Sequence, residues 1–257
     1  MFEQMKKITL FIFLLYFTTT CGQRPNTTFK VGEKLQYKMS YSGFLRAGTA
    51  TLELREAEVN HKNVFHAIGK GWTTGLIKWF FNVKDNYQTY FDKDSGKPYL
   101  FKRKINEGGF KIHREITFDY LKHKAIIKDF RKQKEIIKPF LNVQDVLSSF
   151  YYLRSVDTAK LKKGDEIVLH MFLDFQTYIF KLKYLGKEII YSKFGNVDTL
   201  VFMPLVQSGR IFKAEESVTI WVTNDRNKIP IKLKADLAVG SLQAELERFK
   251  NLANPIF

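Results

Sequence analysis

In 257 residues the chain carries 42 lysines and arginines against 26 aspartates and glutamates, a formal net charge of +16, with 24 Phe, 12 Tyr and a single cysteine, Cys21. One cysteine so near the start leaves the remainder without a disulfide, a thiol nucleophile or a thiolate metal site. The positive charge is dispersed in pairs such as Lys122/Lys124 and Lys181/Lys183, and only Lys102–Arg103–Lys104 form a run, so a nucleic-acid partner is not expected.

In chain order, the first element is an export signal. Lys6 and Lys7 precede the apolar run ITLFIFLLYF (8–17) and three threonines; so short a run cannot cross a bilayer core of roughly 30 Å. Residues 1–20 are expected to be the leader and 21–257 the exported part, in the periplasm or at the outer membrane. LYFTTTCG (15–22) leaves the leader's end open between readings. A lipoprotein signal would make Cys21 the acylated first residue and tie the chain to a membrane surface. Cleavage after Gly22 would leave a soluble secreted protein starting at Gln23. An uncleaved tail or a buried strand is the third reading.

Period-two alternation then dominates. EKLQYKMSY (33–41) puts Leu35, Tyr37, Met39 and Tyr41 on one face, and FLRAGTATLELRE (44–56) sets Ala50, Leu52 and Leu54 against Thr51, Glu53 and Arg55. FKIHREITF places Phe110, Ile112, Ile116 and Phe118 opposite Lys111, His113, Glu115 and Thr117, and QTYIFKLKY aligns Tyr178, Phe180, Leu182 and Tyr184. Further strands are predicted at 63–72, 84–92, 98–106, 123–131, 165–173, 187–192, 196–203, 217–224, 228–238 and 240–247. Strands apolar on one face belong to antiparallel sheets with one covered side. The expected fold is mainly β: one domain built on a strongly curved antiparallel sheet or open β-barrel of about 10–13 strands.

Two segments echo each other, TYFDKDSGKPYLFKRKI (89–105) and WVTNDRNKIPIKLKADL (221–237). Each reads as strand, Asp, polar turn, then Pro98 or Pro230 opening a strand, with Asp92 or Asp225 bonding its own turn. Two stretches break the alternation. TTGLIKWFFN (73–82) is a short helix or crossing segment. Pro139, Asn142 as cap, Asp145 three residues on, and a Val143, Val146, Leu147, Phe150 stripe predict a covering helix near 143–155.

Catalytic signals are weak. His61, His66, His113, His123 and His170 form no HxH or HExxH pattern, so no metal site and no cofactor are expected. His113 and Glu115 share a strand face, a common arrangement on solvated surfaces. No serine elbow or phosphate loop is present, and the chain reads as non-catalytic, with an unrecognised hydrolase or transferase as an alternative. The aromatic excess is the remaining feature. Trp72, Trp79, Phe80, Phe81, Tyr87 and Tyr90, with Phe150, Tyr151 and Tyr152 on the helix, are candidate lining residues of a hydrophobic groove. Such a groove would bind or carry an amphiphile: a lipid, an acyl chain or a glycolipid. The competing reading is a filled core in a structural or protein-interaction module.

The blocks GFLRAGTATLEL (43–54), NVKDNYQTYFD (82–92) with FKRKINEGGF (101–110), DVLSSFYYLR (145–154) and WVTNDRNKIPIKLKADLAVGSLQAEL (221–246) resemble, in order, the DUF3108 family of exported bacterial proteins. The resemblance implies an extracytoplasmic protein, often from Bacteroidota or other Gram-negative bacteria. It also implies a β-rich shape similar to the open barrels of lipoprotein carriers. It supplies no catalytic residue. Glu107, Gly108 and Gly109 match a family-like turn, Asp225 and Pro230 a late hairpin, and Asp145 the start of the helix.

Overall fold

A computed structural model describes residues 27–205, 218–237 and 239–256. Fourteen strands form one antiparallel sheet. The first eight are β1 (Lys34–Tyr41), β2 (Leu45–Val59), β3 (Lys62–Thr73), β4 (Lys84–Asp92), β5 (Pro98–Glu107), β6 (Phe110–Asp119), β7 (Lys124–Asp129) and β8 (Lys134–Pro139). The second group is β9 (Glu166–Leu173), β10 (Gln176–Ser192), β11 (Gly195–Leu205), β12 (Val218–Thr223), β13 (Pro230–Asp236) and β14 (Ser241–Lys250). Helix α1 (Ile77–Phe80) interrupts the β3–β4 connection, and α2 (Val146–Ser155) joins the two groups. No helix among the described residues is long and apolar enough to cross a membrane.

The strands lie in the order β8-β7-β6-β5-β4-β3-β2-β1-β14-β13-β12-β11-β10-β9. Every hairpin pairs with its sequence neighbour, and only the β1–β14 ladder joins distant parts of the chain, with Leu35 opposite Phe249 and Tyr41 opposite Leu242. This order corrects the barrel expectation. The sheet neither closes nor curls strongly, and its outermost strands β8 and β9 share no ladder. The physical reason lies in β8: KEIIKP carries exposed Lys134, Glu135 and Lys138 and ends at Pro139, features that blunt an edge against further pairing. The connection after β8 meets β9 instead, where Gln144 N–H donates to His170 O at 2.8 Å and Phe172 N–H donates to Gln144 O at 2.8 Å.

Alternation maps onto burial where the strands are long. Leu35, Tyr37, Leu54, Ile112, Ile116, Phe118, Leu182 and Tyr184 are buried. Phe118 meets Phe172 of β9 edge to face at 5.7 Å, and Asp174 accepts from Arg103 at 2.7 Å and Arg114 at 2.6 Å. Side chains, not a strand ladder, therefore hold the β9–β10 hairpin to the β5–β6 hairpin. Two strand expectations change. The segments predicted at 176–184 and 187–192 are one strand, β10, which bulges at Leu185 between Tyr184 and Gly186; β8 has no counterpart among the predicted strands.

Helix α2 lies on β3, β4 and β9. Its cap is Asp145 rather than Asn142. Asp145 Oδ1 accepts from the N–H groups of Leu147 and Ser148 at 2.8 and 2.9 Å, and Ser148 Oγ returns a bond from Asp145 N–H at 2.8 Å. This is a capping box. Asn142 instead occupies a left-handed turn. The helix buries Leu147, Tyr151 and Arg154 on one face, the spacing of successive turns. Leu147 sits against Gly69, where a Cβ would come within 3.0 Å of its Cδ2, so the helix contacts bare strand backbone there.

Candidate functional site

The antiparallel order sends alternate connections to opposite ends of the sheet. At one end lie the β5–β6, β3–β4, β1–β2 and β13–β14 connections, consecutive along the ladder. At the other lie α2, the β4–β5 and β12–β13 turns, and the first and last described residues. The two ends differ in chemistry.

At the first end, each connection is held by backbone bonds while its apolar side chains face solvent. Ser42 N–H donates to Ser241 O at 2.7 Å, fastening the β1–β2 turn to β14 and leaving Phe44 at its tip 83% exposed. In the β3–β4 connection, Thr74 N–H reaches Ala47 O at 3.0 Å, and Val83 N–H reaches Thr73 Oγ1 at 2.9 Å. Between these feet stands α1, which buries none of its residues. Trp79 and Phe80 are 86% and 87% exposed. Gly108 and Gly109, both at positive φ, form the two-residue β5–β6 turn. A Cβ on Gly108 would come 2.5 Å from the Phe81 ring, so glycine there lets α1 rest on the turn. Phe110 is exposed at the start of β6, and Val239 is exposed in the β13–β14 turn.

At the opposite end the polar groups are paired. Arg154, buried on α2, makes two bonds to Glu33 (2.6 and 2.8 Å), and its Nε donates to Asn227 O at 3.0 Å. Asn227 Nδ2 donates to Asn254 O at 3.0 Å, and Asn254 Nδ2 to Thr27 O at 2.8 Å, linking Thr27 and the segment after β14 to the β12–β13 turn. Asp92 and Asp225 each accept from their own turn, at Ser95 N–H (2.7 Å) and Lys228 N–H (2.9 Å), as the two echoing segments predict. Burial pushes the Asp92 carboxyl upward, but bonds from Lys62, Ser95 and Tyr99 outweigh it and hold the carboxyl well below the usual range. A cleft of about 760 Å³ opens between these turns, lined by Phe29, Tyr151, Tyr152, Tyr184, Asp157 and Lys187 among others.

The structure separates the predicted lining residues into three groups. Trp72, Trp79, Phe80 and Phe81 are exposed at the first end. Tyr87, Tyr90, Phe150 and Tyr151 are packed: Tyr87 on Phe101, Tyr90 flat on His66 at 4.0 Å, Phe150 against Tyr151, and Tyr151 against Phe91. Tyr152 is half-exposed at the cleft. Tyr151 also lines that cleft, and the other seven do not. The face beneath α2 is filled by clusters around Phe101, Phe118 and Phe172 and around Phe29, Phe65 and Phe91. Cys21 lies outside the described residues. Phe44 and Val239 escaped the sequence reading; a signal for Phe44 was its place beside Ser42–Gly43 in a turn. His113 stacks on Phe130 at 4.6 Å and Glu115 pairs with Lys102 at 3.2 Å, so each already has another partner.

Comparison with known proteins follows the same lines. The family model described as "Protein of unknown function (DUF3108)" matches residues 36–247. The chain belongs to the DUF3108 family. The matched span runs from β1 into β14, so membership covers almost the entire sheet. No curated protein matches the chain. Among solved structures it is similar to a beta-barrel-like protein of the DUF1849 family from Brucella abortus, with a TM-score of 0.55 and 13% identity, covering 88% of this chain and 99% of that one. At that identity the likeness is one of fold. An exported protein with a YmcC-like fold from Bacteroides fragilis aligns at a TM-score of 0.30 and 8% identity, over 86% and 97% of the two chains. At that score no inference about this family member rests on it.

Proposed function

We propose that this DUF3108 protein is a non-catalytic protein of the cell envelope that engages an amphiphile, and that it does so at its aromatic end rather than in an internal groove. The leader-like start, with Lys6 and Lys7 before an apolar run and Cys21 close behind, supports a location outside the cytoplasm, in the periplasm or at the outer membrane. The observation that carries the reading is the row of exposed rings at Phe44, Trp79, Phe80 and Phe110 on neighbouring connections. Large exposed rings gathered at one end of a sheet mark a binding surface more often than rings scattered over the whole surface do. Burying one such ring is worth about 1.5–3 kcal/mol, so three or four acting together supply roughly 5–12 kcal/mol before the cost of association.

The test follows Trp79 alone. The other tryptophans, Trp72 and Trp221, are changed to Phe, and a zwitterionic single-chain amphiphile is added below its micelle concentration. A saturable blue shift of Trp79 emission, lost in Phe80→Ala with Phe44→Ala, is expected. Emission indifferent to the amphiphile would remove the proposal.

A further inference from the structure

Resting on that reading, we infer that the partner of the aromatic end is an anionic lipid surface, met end-on by the sheet. The shape of the end is the first reason. Its rings stand on separate short connections and project singly, with Phe44 on the β1–β2 turn, Trp79 and Phe80 on α1 and Phe110 at the β5–β6 turn. Protruding rings with gaps between them fit a fluid partner that fills around each one, whereas a single small ligand needs a concave wall. A concave cleft of about 760 Å³ opens instead at the opposite end.

Charge is the second reason. Lys78 sits within α1, Lys84 begins β4, and Lys111 follows Phe110; all three are exposed. The acids nearby are engaged or masked. Glu247 is taken by Arg46 at 3.0 Å, and Asp236 by Lys234 at 2.9 Å. Asp85 accepts from Asn106 N–H at 3.2 Å; burial first, and Asp85 second, pushes the Glu107 carboxyl upward toward its neutral form. The end thus presents rings surrounded by cations. Lysine is depleted at protein–protein contacts. Beside tryptophan and phenylalanine it is the composition that settles at the boundary of an anionic bilayer, where the rings lie at head-group level and each ammonium adds about fivefold in affinity.

The placement also fixes an orientation. Thr27 is bonded to Asn254 at the far end, and β2, 15 residues long, spans about 50 Å at 3.4 Å per residue. Thr27 thus lies at the end of the sheet opposite Trp79.

The experiment uses the full chain, with Trp79 as sole tryptophan, and vesicles of brominated phosphatidylcholine alone or mixed with phosphatidylglycerol. Bromine quenches only a tryptophan that enters the bilayer. Expected is strong quenching on the phosphatidylglycerol vesicles, weak quenching on phosphatidylcholine, and a fall of the first to the level of the second at high salt. The triple change Lys78→Gln, Lys84→Gln, Lys111→Gln should weaken anionic vesicle binding roughly a hundredfold with thermal unfolding unchanged. Equal, salt-insensitive quenching on both vesicles would overturn the anionic surface while leaving the amphiphile reading in place. So would an absence of quenching alongside an intact response to the monomeric amphiphile. An emission shift that depends on protein concentration without lipid would give the end to a second copy of the chain and overturn the inference.

Discussion

The two ends of the sheet are made of the same hairpins and yet spend their side chains differently. At the α2 end, Glu33, Arg154, Asn227 and Asn254 pair within one network, and Thr27 and Pro255 are drawn into it. At the aromatic end, backbone bonds fasten the connections, and the large side chains of Phe44, Trp79 and Phe80 have little of the fold to rest on. The difference separates tasks: one end holds the fold together, and the other is fastened through its backbone with its large side chains left exposed. Substitutions at the first should cost stability, and substitutions at the second should cost binding.

The largest expected effect is at the buried pair. Arg154→Met leaves the Glu33 carboxylate enclosed without its partner, a change that costs about 3–5 kcal/mol. Glu33→Met combined with Arg154→Met should recover much of the loss, because two apolar side chains can occupy the space without an unpaired charge. Chemical denaturation of the two single variants and the double one measures this. A double variant no better than the singles would mean that the other Arg154 contacts, such as Asn227 O, hold the α2 end.

The second effect is a pH dependence at the other end of the same helix. Burial raises the Asp145 carboxyl to about 6, against bonds from Thr89, Ser148 and Leu147 that pull it down. The folded state then binds this proton more tightly than the unfolded state. Its contribution to stability is fully present below about pH 4, declines as pH rises through the window from about 4 to 6, and is flat above. The span is roughly 3 kcal/mol. Asp145→Asn should remove that slope, so the difference in unfolding free energy between the two proteins, followed from pH 3 to 8, isolates it from other carboxylates. Glu247, held down to about 2 first by Arg46 and then by Gln36, slopes the opposite way and cancels in the comparison.

How much of this was legible in the sequence follows from the reach of each interaction. Alternation exposed most strands because a long strand with one covered face repeats every second residue, as in FKIHREITF. The turns at Asp92 and Asp225 were readable because the side chain bonds backbone two or three residues away. The helix was readable from its stripe, but its cap was misplaced by three residues because Asn142 and Asp145 offer the same kind of oxygen. What pattern could not carry was long-range. Nothing local ties Glu33 to Arg154, and nothing in KEIIKP (134–139) alternates clearly enough to announce β8. The apolar stretch TTGLIKWFFN (73–82) reads as a short helix or crossing segment whose Trp79, Phe80 and Phe81 could line a groove, and the structure leaves these rings exposed. A four-residue helix has no second turn with which to turn a face inward, so its rings stay out. Closure likewise depends on whether β8 and β9 meet, which no local pattern records.

A smaller effect lies where the aromatic end touches its own scaffold. Gly108→Ala must hold a left-handed backbone and displace the Phe81 ring, together costing about 1–2 kcal/mol. The thermal midpoint should fall by a few degrees, while vesicle binding should fall further than stability does, because α1 is lifted from its seat. Equal losses in both would place Phe81 with the packed residues and shrink the aromatic end to the rings beyond it.

The smallest effect on stability is the most telling. Trp79→Ala and Phe80→Ala remove the two largest side chains of α1, and in a core each would cost about 3–5 kcal/mol. Here both are more than four-fifths exposed, so each change should stay within about 0.5 kcal/mol in denaturant unfolding. A loss near the core value would show that these rings are covered in solution and that the end is not free. Unfolding that is unchanged, paired with a large loss of vesicle or amphiphile binding, can arise only if the rings act on something outside the chain.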